Sequence, residues 1–117
     1  MKALVVDDEA AVRRLLGRVL AERGWTVTAA ANGPEALGIP IDAQFELAFL
    51  DVDLGEKSDG IALARKLREL RPLLRIVMMS GDPDNAARVS GAGLGETLAK
   101  PFELSVIARL LESGAQI

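Results

Sequence analysis

The stretch LAFLDVDLG, residues 47–55, places two acidic side chains directly after an apolar run. Residues Leu47 to Leu50 are typical of a buried β-strand, and Asp51 and Asp53 follow at once. Burying one carboxylate near another costs free energy unless a cation or a strong hydrogen-bond donor offsets the charge. The stretch therefore predicts a core strand that carries Asp51 to a site with compensating charge.

Short apolar runs alternate with helical patterns along the whole chain. The predicted strands are KALVV (2–6), WTVTAA (25–30), FELAFL (45–50), RIVMM (75–79) and TLA (97–99). The predicted helices cover 10–24, a short segment capped by Asn32, 58–70, a segment that begins at Pro83 and ends in the glycines of SGAGLGE, and 103–114. This alternation predicts an α/β fold, with a doubly wound parallel sheet covered by helices on both faces.

Length and composition narrow the possible functions. The 117 residues have the length of one domain, which we place at residues 1–117. Because the chain has no cysteine and no histidine, disulfides, thiolate catalysis, zinc sites and serine–histidine triads are excluded. A net charge of −3 offers no basic surface for direct binding of nucleic acid. No segment resembles a signal peptide or a membrane span, so we expect a cytoplasmic protein that contacts no membrane.

Five polar side chains follow the predicted strands at their carboxyl ends. Asp7 and Asp8 follow the first strand, Asp51 the third, Ser80 the fourth and Lys100 the fifth. In an open α/β sheet, functional residues collect in the crevice beyond the carboxyl ends of the strands. We therefore expect these five side chains to converge.

The chemistry expected of such a cluster follows from its charge. Three carboxylates in one cleft repel one another unless a divalent cation joins them, and oxygen ligands favour magnesium. Lys100 adds positive charge without taking a coordination position. Magnesium and Lys100 together can bind a dianionic phosphoryl group, to which Ser80 donates a hydrogen bond. A carboxylate held there can attack phosphorus to give an acyl phosphate, so we interpret Asp51 as a phosphorylated residue.

Four segments occur in a fixed order: VVDDEAAVRRLL, FELAFLDVDLG, VMMSGD and LAKPFELSVI. In this order and spacing they resemble the receiver domain of bacterial two-component response regulators, and the resemblance covers essentially the whole chain. It implies a flavodoxin-like sheet of five parallel strands in the order 2-1-3-4-5. It also implies transfer of a phosphoryl group from a phosphohistidine of a histidine kinase or histidine phosphotransfer protein, with magnesium or manganese as the cofactor.

The resemblance also implies a role for each acidic residue of the cluster. Asp51 would be the phosphoacceptor and a metal ligand. Asp8 would ligate the metal directly, and Asp7 would act mostly through water. The backbone carbonyl of Asp53 would complete the protein ligands.

Three further residues match the family pattern near the end of the chain. Lys100 matches the lysine that bonds to the phosphoryl group, and Ser80 matches the hydroxyl that closes on it. The peptide bond before Pro101 is a candidate for the cis form, as is usual at the matching proline.

Some positions depart from the family pattern. Thr97 stands three residues before the lysine, where the family has an aromatic side chain that rotates inward on phosphorylation. The segment 80–100 is short, which predicts a shortened or irregular fourth helix and a monomer or weak dimer. Asp53 and Asp82 put carboxylates where the family tunes hydrolysis of the acyl phosphate, so we hypothesise that they alter its lifetime. The loop DVDLGEKSDG lacks the common proline and is one residue longer than usual.

Simpler interpretations of the same residues stay open at this point. Asp7 and Asp8 can cap the helix that follows them, and Ser80 can be a turn residue. Lys100 can be an ordinary solvated lysine. The run GAGLGE (91–96) is better interpreted as a loop that ends a helix than as a nucleotide-binding loop, because no strand precedes it.

Three functions remain as hypotheses, of which a phosphoacceptor signalling domain is the leading one. The second is a receiver that docks partners without phosphorylation. The third is a phosphatase resembling the haloacid dehalogenases, although the nucleophile strand comes first in those enzymes. The sequence identifies neither the kinase nor the downstream protein target, and it leaves open a complete regulator or one domain of a larger hybrid kinase.

Overall fold

The computed structural model describes residues 1–40, 42, 44–54 and 59–115, and within them five parallel strands form one sheet. The strands are β1 (Lys2–Val6), β2 (Thr26–Ala30), β3 (Phe45–Asp51), β4 (Arg75–Ser80) and β5 (Glu96–Ala99). The helices are α1 (Ala10–Glu22), α2 (Gly33–Leu37), α3 (Gly60–Leu70), α4 (Pro83–Ala92) and α5 (Leu104–Ala115). The strand order β2-β1-β3-β4-β5 confirms the predicted flavodoxin-like topology. None of the helices in the described part of the chain is long and apolar enough to cross a bilayer.

The three central strands β1, β3 and β4 are buried on both faces, which explains why most of their residues are apolar. In β3, Ala48 and Leu50 pack into one core, whereas Leu47 and Phe49 pack into the other. The helices add Ala36, Ile61, Leu63, Leu67 and Val89 to the first core, and Leu16, Leu20, Ile107 and Leu111 to the second. The sheet is therefore held between α2, α3 and α4 on one side and α1 and α5 on the other.

The register of the strands brings their carboxyl ends level. Val6 at the end of β1 pairs with Leu50, the residue before Asp51. On the other side of β3, Asp51 pairs with Met79, the residue before Ser80. The polar residues that end neighbouring strands are therefore placed side by side at one edge of the sheet.

The strand ends differ slightly from the sequence prediction. Both β3 and β4 continue one residue further than expected, so that Asp51 and Ser80 are the last residues of these strands. β5 begins at Glu96, one residue before the predicted start. Each difference extends the hydrogen-bonded ladder by a residue whose side chain is polar, which the apolar pattern could not indicate.

Side-chain caps fix the start of two helices. The Asn32 side chain accepts a hydrogen bond of 2.9 Å from a backbone N–H in the first turn of α2, as predicted. Asp59 caps α3 in the same manner, so this helix begins at Gly60. The predicted start at position 58 and the remainder of the lengthened loop, residues 55–58, lie outside the described residues.

The fourth helix is more regular than its sequence predicted. α4 has ten residues, against eleven in α3 and twelve in α5, so it is only slightly shortened. Its backbone stays helical through Gly91, where a break was expected. The chain leaves the helix at Gly93, whose φ of 66° favours glycine, and Gly95 then allows close approach to β4 because a Cβ there would lie 2.5 Å from the Ile76 oxygen.

Arg75 joins β4, β5 and α5 at the amino ends of the strands, opposite the carboxyl ends that carry the polar residues. Its Nε and Nη2 donate to the Glu96 carboxylate at 2.6 and 2.7 Å, and its Nη1 donates to the Leu110 carbonyl oxygen at 2.7 Å. The hydrogen bonds to Glu96 raise the pKa of Arg75 above its ordinary value. Because β5 is a four-residue edge strand, this bidentate contact helps to fix the strand that leads to Lys100.

Candidate functional site

Asp51 ends β3 inside the protein and not on its surface. Only 5% of the residue is exposed. Its Oδ1 accepts a hydrogen bond of 3.1 Å from the N–H of Asp53, and its Oδ2 lies 3.1 Å from Lys100 Nζ. Both oxygens of the carboxylate therefore have a donor, as a buried charge requires.

Asp7 is fully buried and is held from three directions. Its Oδ2 accepts a hydrogen bond of 2.7 Å from Lys100 Nζ, and its Oδ1 accepts one of 2.9 Å from the Glu9 N–H. Arg13, in the second turn of α1, donates from Nη1 to the Asp7 carbonyl oxygen at 2.7 Å. Asp7 thus both begins the turn into α1 and pairs with Lys100.

Lys100 connects the two buried carboxylates. Its Nζ also lies 3.6 Å from Glu9 Oε1, and only 15% of its side chain is exposed. Its backbone N–H donates to the Ser80 carbonyl oxygen at 2.8 Å, directly after the last β5 pair, and the Lys100–Pro101 peptide bond is cis. The interpretation of Lys100 as an ordinary solvated lysine is therefore wrong.

The pKa values of Asp51 and Lys100 are both shifted, for different reasons. Burial raises the pKa of Asp51 above its ordinary value, although the hydrogen bonds from Lys100 and from the Asp53 N–H act against this shift. Burial also acts to lower the pKa of Lys100, but the hydrogen bonds to Asp7 and Asp51 outweigh it, and the net pKa is raised. Lys100 therefore keeps its charge, whereas the Asp51 carboxylate is not fully compensated by one ammonium group.

Three carboxylates lie close enough together to share a cation. One oxygen from each of Asp7, Asp8 and Asp51 lies within 4.8 Å of the others. Asp8 is exposed while the other two are buried, so the group is open to solvent on one side. An all-oxygen donor set that leaves room for water fits magnesium, and a divalent ion would complete the charge balance with Lys100.

Gly60 allows the backbone of α3 to approach Asp51. A Cβ at this position would overlap the Asp51 carbonyl oxygen and lie 2.8 Å from Val52 Cα. The Gly60 N–H donates to the Val52 carbonyl oxygen at 3.0 Å, which fixes the approach. The carboxylate of Asp51 is therefore positioned by contact between α3 and the end of β3.

Ser80 makes its side-chain contacts within the start of α4. Its Oγ donates to the Asp82 carbonyl oxygen at 3.1 Å and accepts from the Asp82 N–H at 3.0 Å. Asp82 Oδ1 in turn accepts from the Asp84 N–H at 3.0 Å. Ser80 therefore does act as a turn residue in this conformation. Asp82 lies just before α4 and is not part of the group formed by Asp7, Asp8 and Asp51.

A cavity of about 320 Å³ lies between β4, β5 and α4. Thr97, which stands where the family usually has an aromatic side chain, is one of its lining residues. The apolar lining is Val52, Met78, Val89, Leu98 and Ala99, and the polar lining includes Ser80, Asn85 and Lys100. The cavity therefore connects the candidate site to the inner side of α4.

The convergence predicted from the strand ends is present, but the sequence missed the residues that support it. Asp7, Asp8, Asp51 and Lys100 come together, while Ser80 borders the group. The missed residues are Glu9, Arg13, Gly60 and Asn85. Glu9 adjoins the acidic pair in sequence and could have been found from its place in the same turn; the others carry no signal before the fold is known.

The comparison of sequences with known families gives one clear result. A family model described as the response regulator receiver domain matches residues 3–112. Among curated proteins, the transcriptional regulatory protein ResD of Bacillus subtilis is 38% identical over 103 residues. This alignment covers 86% of the chain but 42% of ResD, so the chain spans less than half the length of that relative.

Solved structures give the same result for the fold. A response regulator protein from Burkholderia pseudomallei is 32% identical with a TM-score of 0.80, and the match covers 92% of this chain and 64% of that one. The response regulator TrrA from Thermotoga maritima is 26% identical with a TM-score of 0.83, and the match covers 96% of both chains.

Proposed function

We propose a phosphoacceptor function, from the premise that this chain belongs to the family of response regulator receiver domains. In this proposal Asp51 accepts a phosphoryl group, and the domain then changes its contacts with a downstream protein. The observation that carries the proposal is the contact of Lys100 Nζ with the carboxylates of both Asp51 and Asp7, beside Asp8. This arrangement puts a nucleophilic carboxylate, a fixed cation and an oxygen-lined cation site within one cleft.

The proposed phosphodonor is a phosphohistidine of a histidine kinase or a histidine phosphotransfer protein. An Asp51 carboxylate oxygen attacks phosphorus, the phosphorus–nitrogen bond breaks, and the imidazole leaves and takes up a proton. The product is an acyl phosphate on Asp51. Because little covalent chemistry is needed from the protein, the rate depends on positioning and on compensation of charge.

The side chains around Asp51 would divide this work. Lys100 moves its contact from the Asp51 carboxylate to a phosphoryl oxygen, and Ser80 donates a hydrogen bond to another oxygen. Asp8 and Asp51 would hold magnesium or manganese directly and Asp7 through water, and the Asp53 carbonyl oxygen would complete the protein ligands. The bound metal supplies positive charge that lowers the repulsion between the carboxylate and the incoming phosphoryl group.

Two relatives support the metal and the phosphorylated residue. The Burkholderia pseudomallei structure contains a phosphorylated aspartic acid and a calcium ion. The Thermotoga maritima TrrA structure is a complex with Mg²⁺ and a beryllium fluoride. Those ligands belong to those proteins, and we extend their chemistry to this chain because its own carboxylate oxygens lie within 4.8 Å of one another.

The charges of Asp53 and Asp82 are proposed to change the lifetime of the acyl phosphate. They stand two residues after Asp51 and Ser80 respectively, and Asp82 also lines the cavity beside the site. The test is the decay rate of the phosphoryl adduct in Asp53→Asn and Asp82→Asn. Decay at the wild-type rate in both variants would remove this part of the proposal.

The test of the proposed function uses phosphoramidate, a small donor that carries the same phosphorus–nitrogen bond as phosphohistidine. After incubation with magnesium, intact mass spectrometry should show one phosphoryl adduct on the wild-type chain and on Asp42→Asn, a control at an exposed site. Asp51→Asn should carry none, and chelation of the metal should abolish the adduct on the wild type. An unlabelled wild type, or equal labelling of Asp51→Asn, contradicts the proposal.

A further inference from the structure

The hydroxyl of Ser80 has no hydrogen-bonding capacity left in this structure. A serine hydroxyl donates one hydrogen bond and accepts two. Ser80 Oγ donates to the Asp82 carbonyl oxygen, and it accepts from the Asp82 N–H at 3.0 Å and from Asn85 Nδ2 at 2.9 Å. To donate to a phosphoryl oxygen on Asp51, Ser80 must therefore give up contacts that it makes now.

Asp82 contacts Ser80 Oγ through its backbone, whereas Asn85 does so through its side chain, which also contacts the next turn of α4. While its Nδ2 donates to Ser80 Oγ, its Oδ1 accepts a hydrogen bond of 3.0 Å from Arg88 Nη1. Arg88 is exposed one turn further along the helix. A line of side-chain contacts thus runs from the end of β4 to the outer surface of α4.

The cavity beside these residues gives them room to rearrange. Ser80 and Asn85 both line it, together with Val89 of α4. A side chain in close-packed surroundings changes its rotamer only if its neighbours move, whereas one that borders a cavity has space to do so. The contact between Ser80 and Asn85 is therefore placed where it can break without disturbing the core.

We propose that Asn85 is a positioning residue. It holds the Ser80 hydroxyl against the start of α4 and so keeps it away from the phosphoryl site. Phosphorylation of Asp51 draws Ser80 away, Asn85 loses its acceptor, and the contact with Arg88 changes in turn. This inference rests on the proposed function of Asp51. It gives the site a path to α4 that uses only polar side chains of this chain.

The kinetic test compares Asn85→Leu with the wild type in labelling by phosphoramidate and magnesium. Leucine has a similar size but cannot donate to Ser80, so labelling of Asp51 should become about two- to tenfold faster, the factor that one neutral hydrogen bond contributes. In a Ser80→Ala background the same substitution should change the rate by less than about twofold, because the restrained hydroxyl is absent. Arg88→Met, which keeps the Ser80 contact, should label at nearly the wild-type rate.

The spectroscopic test follows the side-chain NH₂ resonances of Asn85 in the ¹⁵N NMR spectrum. Addition of beryllofluoride with magnesium, as a stable substitute for the phosphoryl group, should shift these resonances in the wild type. In Ser80→Ala they should start from a different position and move much less. Asn85→Ala is a second variant for the kinetic test if Asn85→Leu does not give a cooperative thermal transition.

The outcomes separate this inference from the function on which it rests. If Asn85→Leu changes the labelling rate equally with and without the Ser80 hydroxyl, or not at all, the inference is wrong while the phosphoacceptor function stands. The inference is also wrong if the Asn85 side-chain resonances do not shift when beryllofluoride is added to the wild type. If the wild-type chain takes no label, both fail together.

Discussion

The two halves of the candidate site differ in how far their contacts reach along the chain. Lys100 binds Asp7 and Asp51, which are 93 and 49 positions away in sequence. The side chain of Ser80, at the end of the neighbouring strand, bonds to residues only two and five positions away, Asp82 and Asn85. The first half is therefore fixed by the fold as a whole, and the second by one turn of a helix.

This difference explains how one site can be both rigid and responsive. The Lys100 contacts join the ends of three strands, so the place of the ammonium group in the cleft is set by the sheet. The Ser80 contacts lie beside a cavity and involve a single turn, so they can be exchanged at small cost. Substitutions in the two halves should consequently differ in their effects on stability.

Removing the positive charge of Lys100 should have the largest effect on stability. Lys100→Met leaves Asp7 and Asp51 buried without their partner, and breaking such a pair costs about 3–5 kcal/mol of unfolding free energy. Urea unfolding in a buffer that contains a chelator measures this loss. The control is Lys66→Met on the exposed face of α3, which should change stability by less than about 0.5 kcal/mol. If Lys100→Met is as stable as the control, the contacts of Lys100 with Asp7 and Asp51 do not stabilise the site.

Adding one methyl group at Gly60 should have the next largest effect. Gly60→Ala forces a Cβ against the backbone of Asp51 and Val52, which we expect to cost about 3 kcal/mol and to slow labelling of Asp51. The matched control is Gly17→Ala, in the interior of α1, where a Cβ meets nothing within 4 Å. There alanine should stabilise the protein by about 0.5–1 kcal/mol. Equal effects at both glycines would show that α3 does not position Asp51.

Removing the Ser80 hydroxyl should change stability much less. Ser80→Ala loses contacts within one turn that water can partly replace, so the expected cost is about 1 kcal/mol. Urea unfolding beside Lys100→Met gives the comparison directly. A loss for Ser80→Ala as large as that for Lys100→Met would mean that both halves are fixed by the fold, and the proposed exchange of contacts would fail.

The smallest expected effect is the change of unfolding free energy with pH that follows from the raised pKa of Asp51. An acid whose pKa is higher in the folded state lowers stability when ionised, and this cost disappears as the pH falls through the folded pKa. In a chelating buffer, Asp51→Asn should therefore be more stable than the wild type at pH 7. The difference should shrink as the pH falls, and its electrostatic part should vanish below the unfolded pKa of about 3.9. A difference independent of pH would contradict the assignment of the raised pKa to Asp51.

The sequence was sufficient for the parts of the molecule that depend on local pattern. Alternating apolar runs predicted the strands, and Asn32 predicted the start of α2, because both signals lie within a few residues of what they determine. The convergence of Asp7, Asp51 and Lys100 followed from one further rule, that parallel strands end at the same edge of the sheet.

The parts that were missed depend on contacts that close only in three dimensions. Arg75 has no sequence signal for pairing with Glu96, and nothing before the fold shows that Gly60 touches Asp51. α4 continues through Gly91 although glycine has a weak helix propensity, so a local sequence pattern placed the end of this helix too early. The sequence could not indicate whether the Ser80 hydroxyl points into the cleft or towards α4, because this depends on contacts with neighbours such as Asn85.

Asp51 is the proposed site of phosphorylation, and chemical mapping of the label identifies which residue carries it. After incubation with phosphoramidate and magnesium, borohydride reduction converts an aspartyl phosphate into homoserine, and tandem mass spectrometry of the peptides locates it. We expect homoserine at position 51 alone, and none when the magnesium is chelated. Homoserine at position 7, 8 or 53, or a labelled chain without homoserine, would contradict the account.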